Sequence, residues 1–178
     1  MPGHVRDSVR QVDESSWLID DSLLLRRLAS ASDYLWKDTN GWHLTVSEAP
    51  SPLPETKPLS PDGPIRLVYD VGDASVVFDL GDALLKVRKR HGFTGITPEP
   101  VTLHWLADRK LSFSVPKALH YTEDDDRIYL IVSRVPGKSI DETWREMDGG
   151  QKQRCVSRVA EICQKWLATS QLPGYEPS

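Results

Sequence analysis

Apolar and polar positions are most regularly spaced between Ile65 and Val132. Ile65–Tyr69 and Ser75–Leu80 alternate or cluster β-branched residues, and Gly72-Asp73-Ala74 between them reads as a turn. Gly81-Asp82 then turns the chain into Ala83–Val87, because Gly-Asp steps tolerate positive φ. Three antiparallel strands in a meander are the economical reading. Thr97-Pro98-Glu99 predicts a helix start: Thr97 caps it, Pro98 supplies a preset φ at the first helical position, and Glu99 favours the positive end of the dipole. Val101, Leu103, Trp105 and Leu106 supply its apolar face at imperfect spacing. Ser114–His120 returns to an extended form around Pro116. Glu123–Asp126 reads as a hydrated hairpin turn, and Arg127–Val132 as a strongly apolar fifth strand. Ser139-Ile140-Asp141-Glu142 fits a capping box. A last helix after Gly149-Gly150 sets Val156, Val159, Ile162, Cys163 and Trp166 on one stripe.

The first third is less regular. Residues 1–20 are polar and weakly patterned, and a helix is expected from Asp20 or Asp21 through Leu23-Leu24-Leu25-Arg26-Arg27-Leu28 toward Leu35 and Trp36. Glu48 to Pro64 contains six prolines, the clearest linker signal in the chain. The expected organisation is an N-terminal helical extension (1–47), a Pro-rich linker (48–64), a folded lobe (65–138) and further helices (139–178). The fold class is α+β, a five-stranded antiparallel sheet with one helix between the helical extensions. No internal repeat is visible.

Composition narrows the function classes. At 178 residues the chain suits one domain, or one domain with a loose extension. Its 39% apolar content supports a core, and its longest apolar runs are far too short to span a bilayer. A net charge of -4 gives no support for a nucleic-acid surface. Cys155 and Cys163 lie eight apart, too wide for a disulfide within a straight helix, and read as buried or half-buried thiols in a reducing compartment. The N-terminus carries Asp7, Asp13 and Glu14 and no apolar core, unlike a signal peptide. A soluble, cytoplasmic protein that binds neither membrane nor nucleic acid is expected.

The candidate chemistry centres on two charges. Lys86 ends the apolar run Ala83-Leu84-Leu85, and Glu99 follows thirteen residues later in the first turn of the expected helix. An ammonium on a buried strand is costly to desolvate without a partner. Such a pair stabilises a fold little on net, so its presence suggests a negatively charged ligand. The alternative is a Lys86 pointing to solvent at the head of Arg88-Lys89-Arg90, a run that reads as a solvated loop rather than a steering patch. Gly72 is the only glycine of its turn, so neither GxGxxG nor a Walker motif is present. Asp124, Asp125 and Asp126 read as a solvated loop tip, and neither histidines nor cysteines show zinc spacing, so no metal site is expected. Trp105 and Trp166 read as core.

The segments Glu99-Pro100-Val101-Thr102-Leu103-His104-Trp105-Leu106, Val115-Pro116-Lys117-Ala118-Leu119-His120-Tyr121 and Leu130-Ile131-Val132-Ser133-Arg134-Val135-Pro136-Gly137-Lys138-Ser139-Ile140 together resemble the aminoglycoside phosphotransferase (protein-kinase-like) family, including its fungal members with no assigned substrate. The resemblance covers roughly Ile65 to Leu167. It implies a kinase-like N-terminal lobe that binds ATP, with magnesium in a complete homologue. Lys86 resembles the lysine on the α- and β-phosphates, and Glu99, six residues before Trp105, the glutamate that orients it. Ser133, Arg134 and Val135 resemble the hinge whose backbone meets the adenine edge, with Val132 or Ile131 walling the pocket. Gly72 and Ser75, in Gly72-Asp73-Ala74-Ser75, resemble the turn over the phosphates; an ordinary hairpin turn is an equal reading of Gly72.

The resemblance also implies what else phosphoryl transfer needs: a His-Gly-Asp segment with a downstream Asn, then a second Asp, from a C-terminal lobe. The sequence contains no His-Gly-Asp; His91-Gly92 is followed by Phe93, and eleven residues follow Leu167. The expectation is a lobe truncated before its catalytic loop, without catalytic residues and with any small-molecule acceptor bound only in a full-length homologue. Such a chain would be marginally stable and prone to self-associate through the Val156–Trp166 stripe. The alternative is a non-catalytic α+β interaction module, or a pseudoenzyme remnant, acting by partner binding.

Overall fold

A computed structural model of the chain describes residues 3–90 and 98–169. Residues Met1–Val135 form one compact unit and Pro136–Ser178 a second. The fold is α+β, built on two five-stranded antiparallel sheets and few helices. The expected cap Thr97, the segment His91-Gly92-Phe93 and the residues after Thr169 lie outside the described residues.

The first sheet replaces the expected N-terminal helix. After a 3-10 turn at Val5–Asp7 come β1 (Val9–Gln11), β2 (Ser16–Ile19), β3 (Leu23–Leu28), β4 (Trp36–Lys37) and β5 (His43–Glu48), in the order β1-β2-β3-β5-β4. The Leu23-Leu24-Leu25 run suits a helix by propensity, but pairing overrides it. β3 is flanked by β2 and β5, with Leu25 opposite both Trp17 and Val46 and Leu24 opposite Leu18. An all-leucine run therefore fills both faces of a central strand. Between β2 and β3 the chain turns at Asp20, whose φ of 47° is a left-handed conformation that aspartate tolerates better than most residues.

The first three strands of the second sheet form the expected meander. The sheet comprises β6 (Arg66–Val71), β7 (Ser75–Asp79), β8 (Ala83–Lys89), β9 (Ala118–Glu123) and β10 (Arg127–Ser133), ordered β6-β7-β8-β10-β9. Gly72 (φ 54°) and Gly81 (φ 86°) occupy the two turns in the region that favours glycine. The basic run is not a loop, because β8 continues through Lys89.

The alternation of β7, β8 and β10 divides this sheet into two faces. Val76, Phe78, Leu85, Val87, Tyr129 and Ile131 share one core with Val5, Trp17, Ile19, Leu25 and Leu44 of the N-terminal region. The expected separate extension is thus half of a sandwich. The Pro-rich segment is a strap along it: Lys57 exchanges two 2.8 Å backbone hydrogen bonds with Gln11, and Leu59 packs on the core. The opposite face carries α1 (Glu99–Ala107), through Leu103 against Leu84, Leu130 and Val132. Trp105 is half-buried rather than core, with the Arg109 guanidinium 3.3 Å from its ring centroid. Pro98 stands at the N-cap, with Pro100 inside the first turn.

A buried polar cluster ties the two sheets together. Arg127, 3% exposed, donates through Nη1 to Asp20 Oδ1 and Ser8 Oγ, each at 2.8 Å, and through Nη2 to the Gly3 carbonyl. Tyr129 donates its hydroxyl to Asp20 at 2.6 Å and shares contact with Asp124 at 2.8 Å. Burial, followed by these carboxylates, pushes the Tyr129 pKa far up. Asp126 lies 3.7 Å from Arg127 Nε, within ion-pair reach but too far for a hydrogen bond.

Asp124, Asp38 and His120 are among the titrating groups that make the unit acid-sensitive. Burial opposes the charge of Asp124, but the Asp126 N–H, the Tyr129 hydroxyl and the Arg127 N–H outweigh it and hold its pKa below 3.8. Asp38 is held down likewise, against burial, by the Trp42 N–H and the Arg27 guanidinium. Burial lowers His120 below 6.5. All three folded-state values are depressed, so each contribution is present above the ordinary pKa and lost as pH falls through the folded one. Urea midpoints are expected to decline in two stages, from about pH 6.5 and again from about pH 4, with His120→Gln removing only the first. A midpoint that rises on acidification would contradict this.

The second unit holds α2 (Ile140–Thr143) and α3 (Gly149–Thr169). The expected capping box is formed, with Ser139 Oγ accepting from the Glu142 N–H and Glu142 accepting from the Ser139 N–H. A second box opens α3, where Asp148 and Gln151 each accept the other's N–H at 2.7–2.8 Å. Val156 and Val159 are about half exposed, and Cys163 is exposed rather than half-buried. The side chain of Trp166 lies outside the described residues.

Candidate functional site

Three rows of side chains cross the face of the second sheet that lies away from the first. The register sets Ser75, Arg88 and Ile128 abreast, then Val77, Lys86 and Leu130, then Asp79, Leu84 and Val132. Lys86 stands at the centre. Leu85 and Val87 point to the sandwich core, so the apolar run on which Lys86 sits is buried by the other face of β8.

Lys86 and Glu99 meet. Nζ, on β8, lies 2.5 Å from Oε1 of Glu99, the first residue of α1. Both side chains are about one-third exposed (33% and 37%), so the pair is shielded rather than buried, and its own contribution to stability is small. A cleft of about 250 Å³ opens beside it, lined by Ser75, Val77, Lys86, Arg88, Glu99, Pro100, Ile128 and Leu130. That volume admits a phosphate group.

The other expected site residues fall into two places. Ser75 lines the cleft, and Gly72 lies in the turn just before it, with no atom within 4 Å of where a Cβ would project. His4 anchors that turn through Asp73. Ser133, Arg134 and Val135 follow β10, with Ser133 three residues beyond Leu130 in the Lys86 row, about 10 Å along the strand. Two hinge donors are engaged: the Ser133 N–H gives to the Lys117 carbonyl at 2.9 Å and the Arg134 N–H to Asp82 at 2.8 Å. Val135 is the remaining hinge donor, and its side chain is 37% exposed.

Sequence reasoning missed Asp79. It faces the same side as Lys86, accepts from Arg134 Nη2 at 2.5 Å and from the Gly81 N–H at 2.8 Å, and lies 3.2 Å from Arg66 Nη2. Arg134 Nε also donates to the Gly81 carbonyl at 2.7 Å. Burial opposes the Asp79 charge, but the Gly81 N–H and the Arg134 guanidinium prevail and lower its pKa. The side chain of Arg134 thus clamps the end of β10 to the β7–β8 turn. Alternation along Ser75–Asp79 was the signal that could have placed Asp79 on the Lys86 face.

Among the described residues, no three His, Cys, Asp or Glu side chains converge as metal ligands, and no helix is long and apolar enough to cross a membrane. No protein-family model, curated protein or solved structure matches the chain.

Proposed function

We propose that the Lys86 face binds the phosphates of a nucleotide, ATP by resemblance to the aminoglycoside phosphotransferases, as the N-terminal lobe of a kinase-like fold. The observation that carries the reading is the 2.5 Å Lys86–Glu99 contact beside a cleft open to solvent. In this role Glu99 orients the ammonium, which contributes a point charge to the phosphate oxygens. Val132 is buried with Leu84 under Leu103 of α1, so apolar contact to a base would come from the exposed Val135 side, where the Val135 N–H is the hinge donor left for a base edge. The roughly 10 Å from the Lys86 row to Ser133 suits a base at one end and phosphates at the other. The role assigned is binding and not phosphoryl transfer, since the sequence holds no His-Gly-Asp.

ATP at ten times its dissociation constant is expected to stabilise the protein by about 1.4 kcal/mol, read as a rise in Tm. Lys86→Ala is expected to abolish that shift while leaving the unliganded Tm nearly unchanged, because the pair is partly exposed. An undiminished shift in Lys86→Ala, or none in the parent protein, would overturn the reading.

A further inference from the structure

Lys86 is not the only cation in the cleft. Arg88 lines it too, directly opposite Ser75 on β7 and Ile128 on β10. The two cations sit two residues apart on one face of β8, about 7 Å along the strand. Among the described residues Glu99 is the only carboxylate lining the cleft, and it engages Lys86.

The rest of the basic run lies outside the cleft. Arg90 lies 3.6 Å from Glu123 and donates to the Asp124 carbonyl, and Lys89, of opposite parity on β8, acts electrostatically on Asp73. Arg88 is exposed, and among the described residues its guanidinium makes no ion pair or hydrogen bond, its charge acting only electrostatically on the Tyr121 hydroxyl. Its guanidinium is therefore a free fork beside an oriented ammonium, with the Ser75 hydroxyl as a further donor across the strand pair. Arginine suits such a position because its planar donors match two phosphate oxygens at once.

We propose that Arg88, with Ser75, holds the terminal phosphate of a polyphosphate ligand, so that this face selects triphosphorylated over di- and monophosphorylated anions. Lys86 takes the phosphates nearer Glu99 and Leu130, and Arg88 reaches the phosphate beyond them, toward Ser75 and the Gly72 turn. The assignment rests on the nucleotide reading for the position of the base. It does not rest on it for the anion, which the two cations alone recognise.

The test titrates the full chain with ATP, ADP, AMP and inorganic tripolyphosphate at fixed ionic strength, comparing the parent protein with Arg88→Gln, Arg88→Lys, Lys86→Met and Arg90→Gln. Arg88→Gln is expected to weaken ATP and tripolyphosphate about tenfold and ADP less than about threefold, the loss of one charge-assisted contact. Arg88→Lys should restore part of the loss, and Arg90→Gln should change nothing, which separates a specific site from general charge. Equal weakening of ATP and ADP by Arg88→Gln, or no weakening of either, overturns the inference while Lys86→Met can still uphold the nucleotide reading. Tripolyphosphate binding that depends on Arg88, with ATP bound no better, upholds the inference and overturns the nucleotide reading. No binding of any of these anions to the parent protein overturns both.

Discussion

A chain beginning at Gly63 is expected not to fold, although it retains the whole second sheet and α1. Without the first sheet, Val76, Phe78, Leu85, Val87, Tyr129 and Ile131 lose the side chains that cover them. Each large apolar side chain contributes about 1.5–3 kcal/mol when buried. Re-exposing these six removes more than most of the roughly 5–15 kcal/mol that holds a domain together. Residues 63–178 should bind a hydrophobic dye, lack dispersed amide resonances and melt without a cooperative transition. A sharp, reversible melt of that fragment would show that the second sheet is self-sufficient and that the first is an appendage.

Asp20→Asn is the point substitution expected to cost most, about 3 kcal/mol of stability read from urea midpoints. Its carboxylate is the charge nearest the Arg127 guanidinium, whose side chain is only 4% exposed. Asparagine keeps the size and tolerates the left-handed backbone at φ 47°, so the loss reports on charge rather than strain. The substitution leaves a buried cation with the more distant Asp126, and it removes an acceptor from the Tyr129 hydroxyl. Converting both partners, Asp20→Asn with Arg127→Met, should cost less than Asp20→Asn alone, because no unpaired charge is then buried. A single-variant loss below about 0.5 kcal/mol would mean that water reaches Arg127 and the cluster is not a fastener.

The Lys86–Glu99 contact was legible because each residue carries a local signal. Lys86 interrupts an apolar strand run, and Glu99 opens a helix at a Pro-containing start. Arg88 belonged to the same strand, yet its charge merged into the run from Lys86 to Arg90. Only alternation along β8, once the strand was seen to reach Lys89, sets Arg88 on the Lys86 face and Lys89 on the other. Asp20 and Arg127 carried no signal at all, being 107 residues apart and each ordinary in its own segment.

The second sheet, its two glycine turns, α1 and the Ser139 capping box follow from local pattern, since alternation, turn chemistry and capping act over a few residues. The first sheet does not. Leu23-Leu24-Leu25 and the proline-rich strap read as a helix and a linker when only neighbours along the chain are counted. Their strand pairing and burial come from partners as distant as Trp17, Val46 and Phe78. Non-local burial outweighs local propensity there, because an apolar run gains more by filling both faces of a central strand than by forming a helix with no surface to cover.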